Sequence, residues 1–260
     1  NKKYIQRNHL QETIITTRDI DKKDHKHFLE KEIYENYDIT ESTINRYIHK
    51  SQIEKKLFDY DFIIDETQVP KIILENIFQK KIDKIIITGM GTCYTAGVAI
   101  SHYMREMLSL TKYNILVETT LASEGSGFYL ENDMSNTLVI VIAQSGTTVD
   151  TNVYVKMAKE RGALSLAIAN KREGDITFIV DGTLYIGEGR DIEISVPSTK
   201  TYTAQVILGY ILSLYLLSKI SKKPMILNKL NKEVKKLINC PNLISKTLSD
   251  IKEQNKITTI

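Results

Sequence analysis

The sequence predicts a doubly wound α/β sandwich, three layers deep around a mostly parallel five-stranded sheet, and three observations point there. From residue 84 onward, short Ile/Val/Leu runs alternate with amphipathic helical stretches: "KIIIT" (84–88), "ILVET" (115–119), "LVIVIA" (138–143), "LSLAIAN" (164–170) and "GTLYIG" (182–187) read as strands. The runs are apolar almost throughout, the mark of strands covered on both faces and so of parallel strands joined by crossover helices. Corners rich in Gly, Ser and Thr stand at strand exits and helix starts, where such sheets bind their ligands. Together these features describe a flavodoxin-like arrangement.

Taken in order, residues 1–26 are polar, with a β-rich "ETIITTRDI" and a charged "DKKDHK", and read as an N-terminal linker or strand segment. "HFLEKEIYENYDITESTINRYI" (27–48) spaces Phe28, Ile33, Tyr34, Tyr37, Ile44, Tyr47 and Ile48 as a helix does. A helix over about 70–80 starts at Pro70, a residue at home in a first turn because its missing N–H has no partner there. Between the strands, residues 94–110 and 148–162 form amphipathic helices, the second closing on Gly162. Residues 197–220 form a long buried helix. Its apolar stretch, Val206–Leu217, is shorter than the ~20 residues of a membrane span, so no membrane partner is expected. Two polar-faced helices follow, near 228–239 and 242–254. The expected organisation is a segment 1–26, a ligand-binding domain over 27–222 with its leading helix, and C-terminal helices over 223–260.

With 260 residues, 42% of them hydrophobic, the chain can bury a sizeable core. Its 35 basic and 32 acidic side chains leave a formal charge of +3, and the Lys-Lys pairs are scattered among acids, so no nucleic-acid footprint is expected. Cys93 and Cys240 are too few and too far apart for a disulfide framework or a zinc site, and the five histidines lack metal-ligand spacing; no metal or cofactor is expected. No basic-then-apolar leader stands at the N-terminus, which points to the cytoplasm. The start at Asn1 and the stop at "KITTI", just after an amphipathic pattern, read as one piece of a longer protein.

Three corners carry the chemistry: "GMGTCYTAG" (89–97), "AQSGTT" (143–148) and "SVPSTKT" (195–201). Free N–H groups and the positive end of the dipole let a helix start accept an anion, and hydroxyls add donors without adding charge. That combination suits a phosphate monoester held beside sugar hydroxyls. Ser and Thr at helix starts are also ordinary caps; three such corners, with the long amide of Gln144 beside one of them, favour a shared site. A dinucleotide loop would need its third glycine at Tyr94, no P-loop is present, and no G-x-S-x-G elbow makes Ser145 a nucleophile.

The corners in this order resemble the sugar isomerase (SIS) domain family, and within it the first SIS domain of the glucosamine-6-phosphate synthases (glutamine–fructose-6-phosphate aminotransferases). "MGTC" (90–93) stands for that pattern's C-G-T-S, "ASE" (122–124) for A-S-E, "AQSGTTVDT" (143–151) for S-Q-S-G-E-T-x-D-T, and "VPSTKTYTAQ" (196–205) for V-A-S-T-K-x-x-T-x-Q. "HFLEKEIYE" (27–35) is similar to the family's leading helix, so the resemblance covers about 27–220. It implies that Gly91, Thr92, Cys93, Ser145 and Thr148 surround the phosphate, that Gln144, Val196 and Ser198 lie along the sugar, and that Lys200 has a solvated or structural role. The implied ligand is a hexose phosphate, fructose 6-phosphate or glucosamine 6-phosphate. The parent activity would be amidotransfer with ketose–aldose isomerisation. Pairing is general in the family and the helix at 203–220 has apolar surface to spare, so a homodimer is expected.

Three positions depart from the pattern: Cys93 replaces a serine with a weaker donor, Ala143 replaces a serine, and Thr147 replaces a glutamate. For Cys93 two readings stay open, a low-pKa thiol at a helix start or a buried, inert one. The resemblance places the ring-opening group, the proton-transferring base and the Schiff-base lysine largely in a second SIS domain and a C-terminal tail, so this chain alone is expected to be inactive. Glu32, Glu35, Glu124 and Asp150 read as caps, contacts or surface charges. Two other classes remain, a non-catalytic phosphosugar-sensing SIS module and an SIS-type deglycase or deaminase of amino-sugar phosphates.

Overall fold

The computed structural model describes residues 20–52, 57–195 and 198–253; most of the segment 1–26, and Val196, lie outside the described residues. The helix expected over 27–48 is two helices, α1 (Phe28–Tyr34) and α2 (Asn36–Tyr47). The Asn36 side-chain amide donates to the carbonyls of Glu32 and Ile33 at 3.1 and 3.0 Å and so closes α1 from its side chain, a competition with the helical backbone typical of asparagine. α2 leads into an antiparallel hairpin, β1 (Ile48–Lys50) with β2 (Tyr60–Phe62), whose three-residue strands are too short to show a period in the sequence.

After α3 (Lys71–Phe78), which Pro70 precedes, strands and helices alternate. They are β3 (Lys84–Gly89), α4 (Thr92–Ser109), β4 (Leu116–Leu121), a single turn α5 (Ala122–Glu124) widening into a π turn over Gly125–Tyr129, and β5 (Thr137–Ala143). α6 (Val149–Glu160), β6 (Leu164–Ala169), β7 (Gly182–Tyr185), α7 (Lys200–Ile220), α8 (Pro224–Ile238) and α9 (Cys240–Glu253) complete the described chain. The strands form one parallel sheet in the order β4-β3-β5-β6-β7, the flavodoxin-like order that the alternation predicts. The chain leaves β3 to one side for β4 and returns to its other side for β5. The topological switch therefore opens a crevice at the carboxyl ends of β3 and β5.

The strand residues explain why both sheet faces are covered. Ile85, Ile87, Leu138, Ile140, Ile142, Leu166 and Ile168 point to one side, where Ile100, Met104, Leu208 and Leu212 of α4 and α7 meet them. Ile86, Val139, Val141, Ala143, Ala167 and Ala169 point to the other, against Tyr154, Val155 and Ala158 of α6. Each Ile, Leu or Val side chain among them contributes about 1.5–3 kcal/mol on full burial. Among the described residues α7 alone is long and apolar enough to cross a membrane, yet 67% of its apolar window is buried against protein, in keeping with a core helix. The leading helices join the same core. The buried Tyr47 hydroxyl donates to the carbonyl of Tyr185 at 2.8 Å and accepts its N–H at 2.7 Å, fastening α2 to the edge strand β7. Burial pushes that phenol up to about 12.

Candidate functional site

The first two corners turn at the switch point. β3 leaves through Met90 and Gly91 into α4, and Gly91 adopts φ +56° and ψ −128°, a conformation only glycine takes without strain. Thr92 and Cys93 open the helix. β5 leaves through Gln144, Ser145, Gly146, Thr147 and Thr148 into α6. Gly146 has φ +73°, and a Cβ there would lie 2.7 Å from the Gly174 Cα, so two backbones touch at this point. The Gly146 carbonyl accepts the Ile176 N–H at 2.9 Å and the Asn152 side-chain amide at 3.3 Å, which anchors the corner from outside.

Between the corners lies a cleft of about 250 Å³. Of the sequence-predicted residues, Thr92, Cys93, Gln144, Ser145, Thr148 and Ser198 line it together; Gly91 adjoins it as the N-cap of α4, and Val196 is outside the described residues. The departures are now placed. Ala143 is on the wall, whereas Thr147 is not: its hydroxyl and N–H both donate to the Ser145 Oγ, at 3.1 and 3.3 Å. Glu124 and Asp150 are exposed and outside the cleft. Among the described residues no Lys or Arg lines it, and no group of three or more His, Cys, Asp or Glu could hold a metal ion.

Sequence reasoning missed Glu193, a cleft wall residue that changes the meaning of the third corner. Its Oε1 accepts the N–H groups of Thr199 and Lys200 at 2.6 and 3.1 Å, and its Oε2 accepts the Ser198 and Thr201 hydroxyls, the former at 3.0 Å. The start of α7 is thus capped from within by a carboxylate, the partner that free N–H groups and the helix dipole favour. The expectation of three open helix starts is corrected to two. An acid a few residues before a hydroxyl-rich helix start was the available signal.

Two acids, Glu32 of α1 and Glu35 at the junction of α1 and α2, hold this loop in place. The Glu32 Oε1 accepts the N–H groups of Ile194 and Ser195 at 2.5 and 3.2 Å. Glu35 pairs with the Lys200 Nζ at 2.6 Å, with Lys31 3.5 Å away on its other oxygen. Lys200, buried at 6% exposure, therefore faces away from the cleft into an ion pair.

Cys93 ties the corners together: its Sγ receives the Gln205 side-chain amide at 3.6 Å, and the Gln144 backbone lies within hydrogen-bonding reach of it. Burial is the main influence on the thiol and pushes it up, which favours the inert reading over the activated one. With the folded value raised, the proton is held more tightly in the folded chain. The associated stability is present below the unfolded thiol's pKa and is lost as pH rises through the folded value. In a Cys240→Ser background, alkylation of Cys93 by iodoacetamide at pH 7.5 should lag at least about tenfold behind the urea-unfolded chain. Equal rates in both states would overturn this.

Comparison with known proteins supplies the family and the fold. The SIS domain family profile matches residues 77–215. The glutamine–fructose-6-phosphate aminotransferase (isomerizing) of Fusobacterium nucleatum is 40% identical over 152 residues, 57% of this chain and 23% of that protein. That of Methanococcus maripaludis is 33% identical over 193 residues, 73% of this chain and 29% of its own length. The chain thus spans under a third of these relatives. Among solved structures, the C-terminal domain of glucosamine-fructose-6-phosphate aminotransferase from Francisella tularensis superposes with a TM-score of 0.72 at 24% identity, covering 91% of this chain and 60% of that one. Glucosamine-6-phosphate deaminase from Thermotoga maritima shares the fold at a TM-score of 0.54 and 14% identity, covering 80% of this chain and 54% of that one.

Proposed function

Because this chain belongs to the SIS domain family, we propose that its cleft binds a hexose phosphate, fructose 6-phosphate or glucosamine 6-phosphate, as the first SIS domain of a glutamine–fructose-6-phosphate aminotransferase. The observation that carries this reading is the convergence of two hydroxyl-bearing helix starts on one cleft that has no basic side chain among the described residues. Helix dipoles, N–H groups and neutral hydroxyls recognise a phosphate monoester reversibly. In this reading Thr92, Cys93, Ser145 and Thr148, with the glycine turn at Gly91, surround the phosphate. Gln144 and Ser198 lie along the sugar.

The same wall argues that binding, not turnover, is this chain's share of the reaction. Moving a proton between adjacent sugar carbons needs a free base, and a Schiff base needs an amine. The ionisable side chains on the wall are Cys93, whose thiol burial keeps protonated, and Glu193, whose oxygens serve α7. A homodimer in the cytoplasm, completed by a second SIS domain, is the assembly we propose for the parent. Calorimetric titration of this chain with fructose 6-phosphate should give a Kd of about 0.1–1 mM, and unphosphorylated fructose should give no heat. Ser145→Ala should weaken binding by about tenfold or more, the loss of a hydrogen bond to a charged group. Equal affinity for fructose and its phosphate, or an indifferent Ser145→Ala, would sink the proposal.

A further inference from the structure

Glu193 places a carboxylate inside a cleft whose other two corners are built to receive an anion. Its oxygens are engaged by Ser198, Thr199, Lys200 and Thr201, all on the first turn of α7 or just before it, so the side chain is held rather than free to swing away. The Lys200 ammonium is committed to Glu35, Arg190 is not on the cleft wall, and among the described residues no Lys or Arg lines the cleft to offset a second negative charge. A ligand seated by its phosphate at the α4 and α6 starts extends toward this third corner, since the cavity of about 250 Å³ is bounded by all three. Its far end meets a carboxylate already saturated with donors.

From this we infer that Glu193 is a specificity-determining residue that restricts the cleft to sugar monophosphates whose non-phosphorylated end is neutral or cationic, and rejects bisphosphates and phosphorylated sugar acids. The inference rests on the phosphosugar reading above. A second anion would be brought beside a fixed like charge in a site partly shielded from water, an arrangement that disfavours the wrong partner strongly. Negative selection of this kind needs no contact with the accepted ligand. It is therefore separable from affinity for fructose 6-phosphate itself.

The test compares fructose 6-phosphate, fructose 1,6-bisphosphate and 6-phosphogluconate by calorimetry on the 260-residue chain and on Glu193→Gln and Glu193→Asp. The wild-type chain should bind fructose 6-phosphate at least about tenfold more tightly than either ligand with a second anionic end. In Glu193→Gln that ratio should fall by about tenfold, whatever happens to the absolute affinities, and Glu193→Asp, which keeps the charge, should keep most of the ratio. A merely structural cap would move all three ligands together and leave the ratio unchanged in both variants, which would overturn the inference. Wild-type binding of the bisphosphate as tightly as of fructose 6-phosphate would overturn it too, with the phosphosugar reading intact. Absence of binding by fructose 6-phosphate would overturn both.

Discussion

Gly146→Ala should destabilise the fold by about 2–4 kcal/mol and, with it, remove the hexose-phosphate binding proposed for the cleft. Two costs add at this position. The φ of +73° is strained for any residue with a Cβ. The new methyl would also stand 2.7 Å from the Gly174 Cα and 3.2 Å from its carbonyl carbon, and backbone cannot rotate out of the way as a side chain can. The clash is reciprocal, because a Cβ on Gly174 would meet the Gly146 Cα and the Ser145 carbonyl oxygen, each at 2.8 Å. Relief requires the 143–148 corner to move away from the 174–176 segment, which takes Ser145 and Thr148 off the cleft wall. For a chain of this size the loss corresponds to a drop in Tm of about 5–10 °C. Gly127→Ala is the control, since nothing lies within 4 Å of a Cβ there. A Gly146→Ala protein that melts with the wild type would refute the argument.

Lys200→Met should cost about 2–4 kcal/mol in urea unfolding, somewhat below the usual cost of breaking a buried pair because Lys31 still stands near Glu35. The Lys200 side chain is 8% exposed and that of Glu35 22%, so removing the ammonium leaves a carboxylate that water solvates only in part. Glu35→Gln added to Lys200→Met should recover much of the loss, since a neutral pair carries no uncompensated charge. The single variant should also weaken sugar-phosphate binding, because Lys200 opens α7 immediately after Ser198 and Thr199. Four unfolding curves close the cycle. A single variant as stable as the wild type would show that the pair contributes nothing.

The fold was legible because its signals are local. Five aliphatic runs covered on both faces, separated by helical periodicity, leave few ways to build a sheet, and the observed strand order is the one this pattern predicts. The corner at 143–148 was legible for the same reason: a hydroxyl-rich loop after a buried strand lies at the carboxyl edge of a parallel sheet wherever the rest of the chain goes. The break between α1 and α2 was less so, since it depends on one Asn36 side chain taking two carbonyls from the preceding helix. The hairpin at β1 and β2 was illegible. Three residues carry no period, and the pairing joins segments ten residues apart.

By itself, the sequence determined the architecture, the position of the cleft at the switch point and the neutral, hydroxyl-based character of its first two corners, all consequences of short-range pattern. Only the tertiary structure decided which helix starts stay open. Glu193 closes the third, while Glu32 reaches across 162 positions to hold the loop beside it and Glu35 draws Lys200 out of the cleft. The physical reason is that a carboxylate's role depends on the donors within about 3 Å of it. For Glu32 and Glu35 those donors lie far away along the chain, and only folding brings them near.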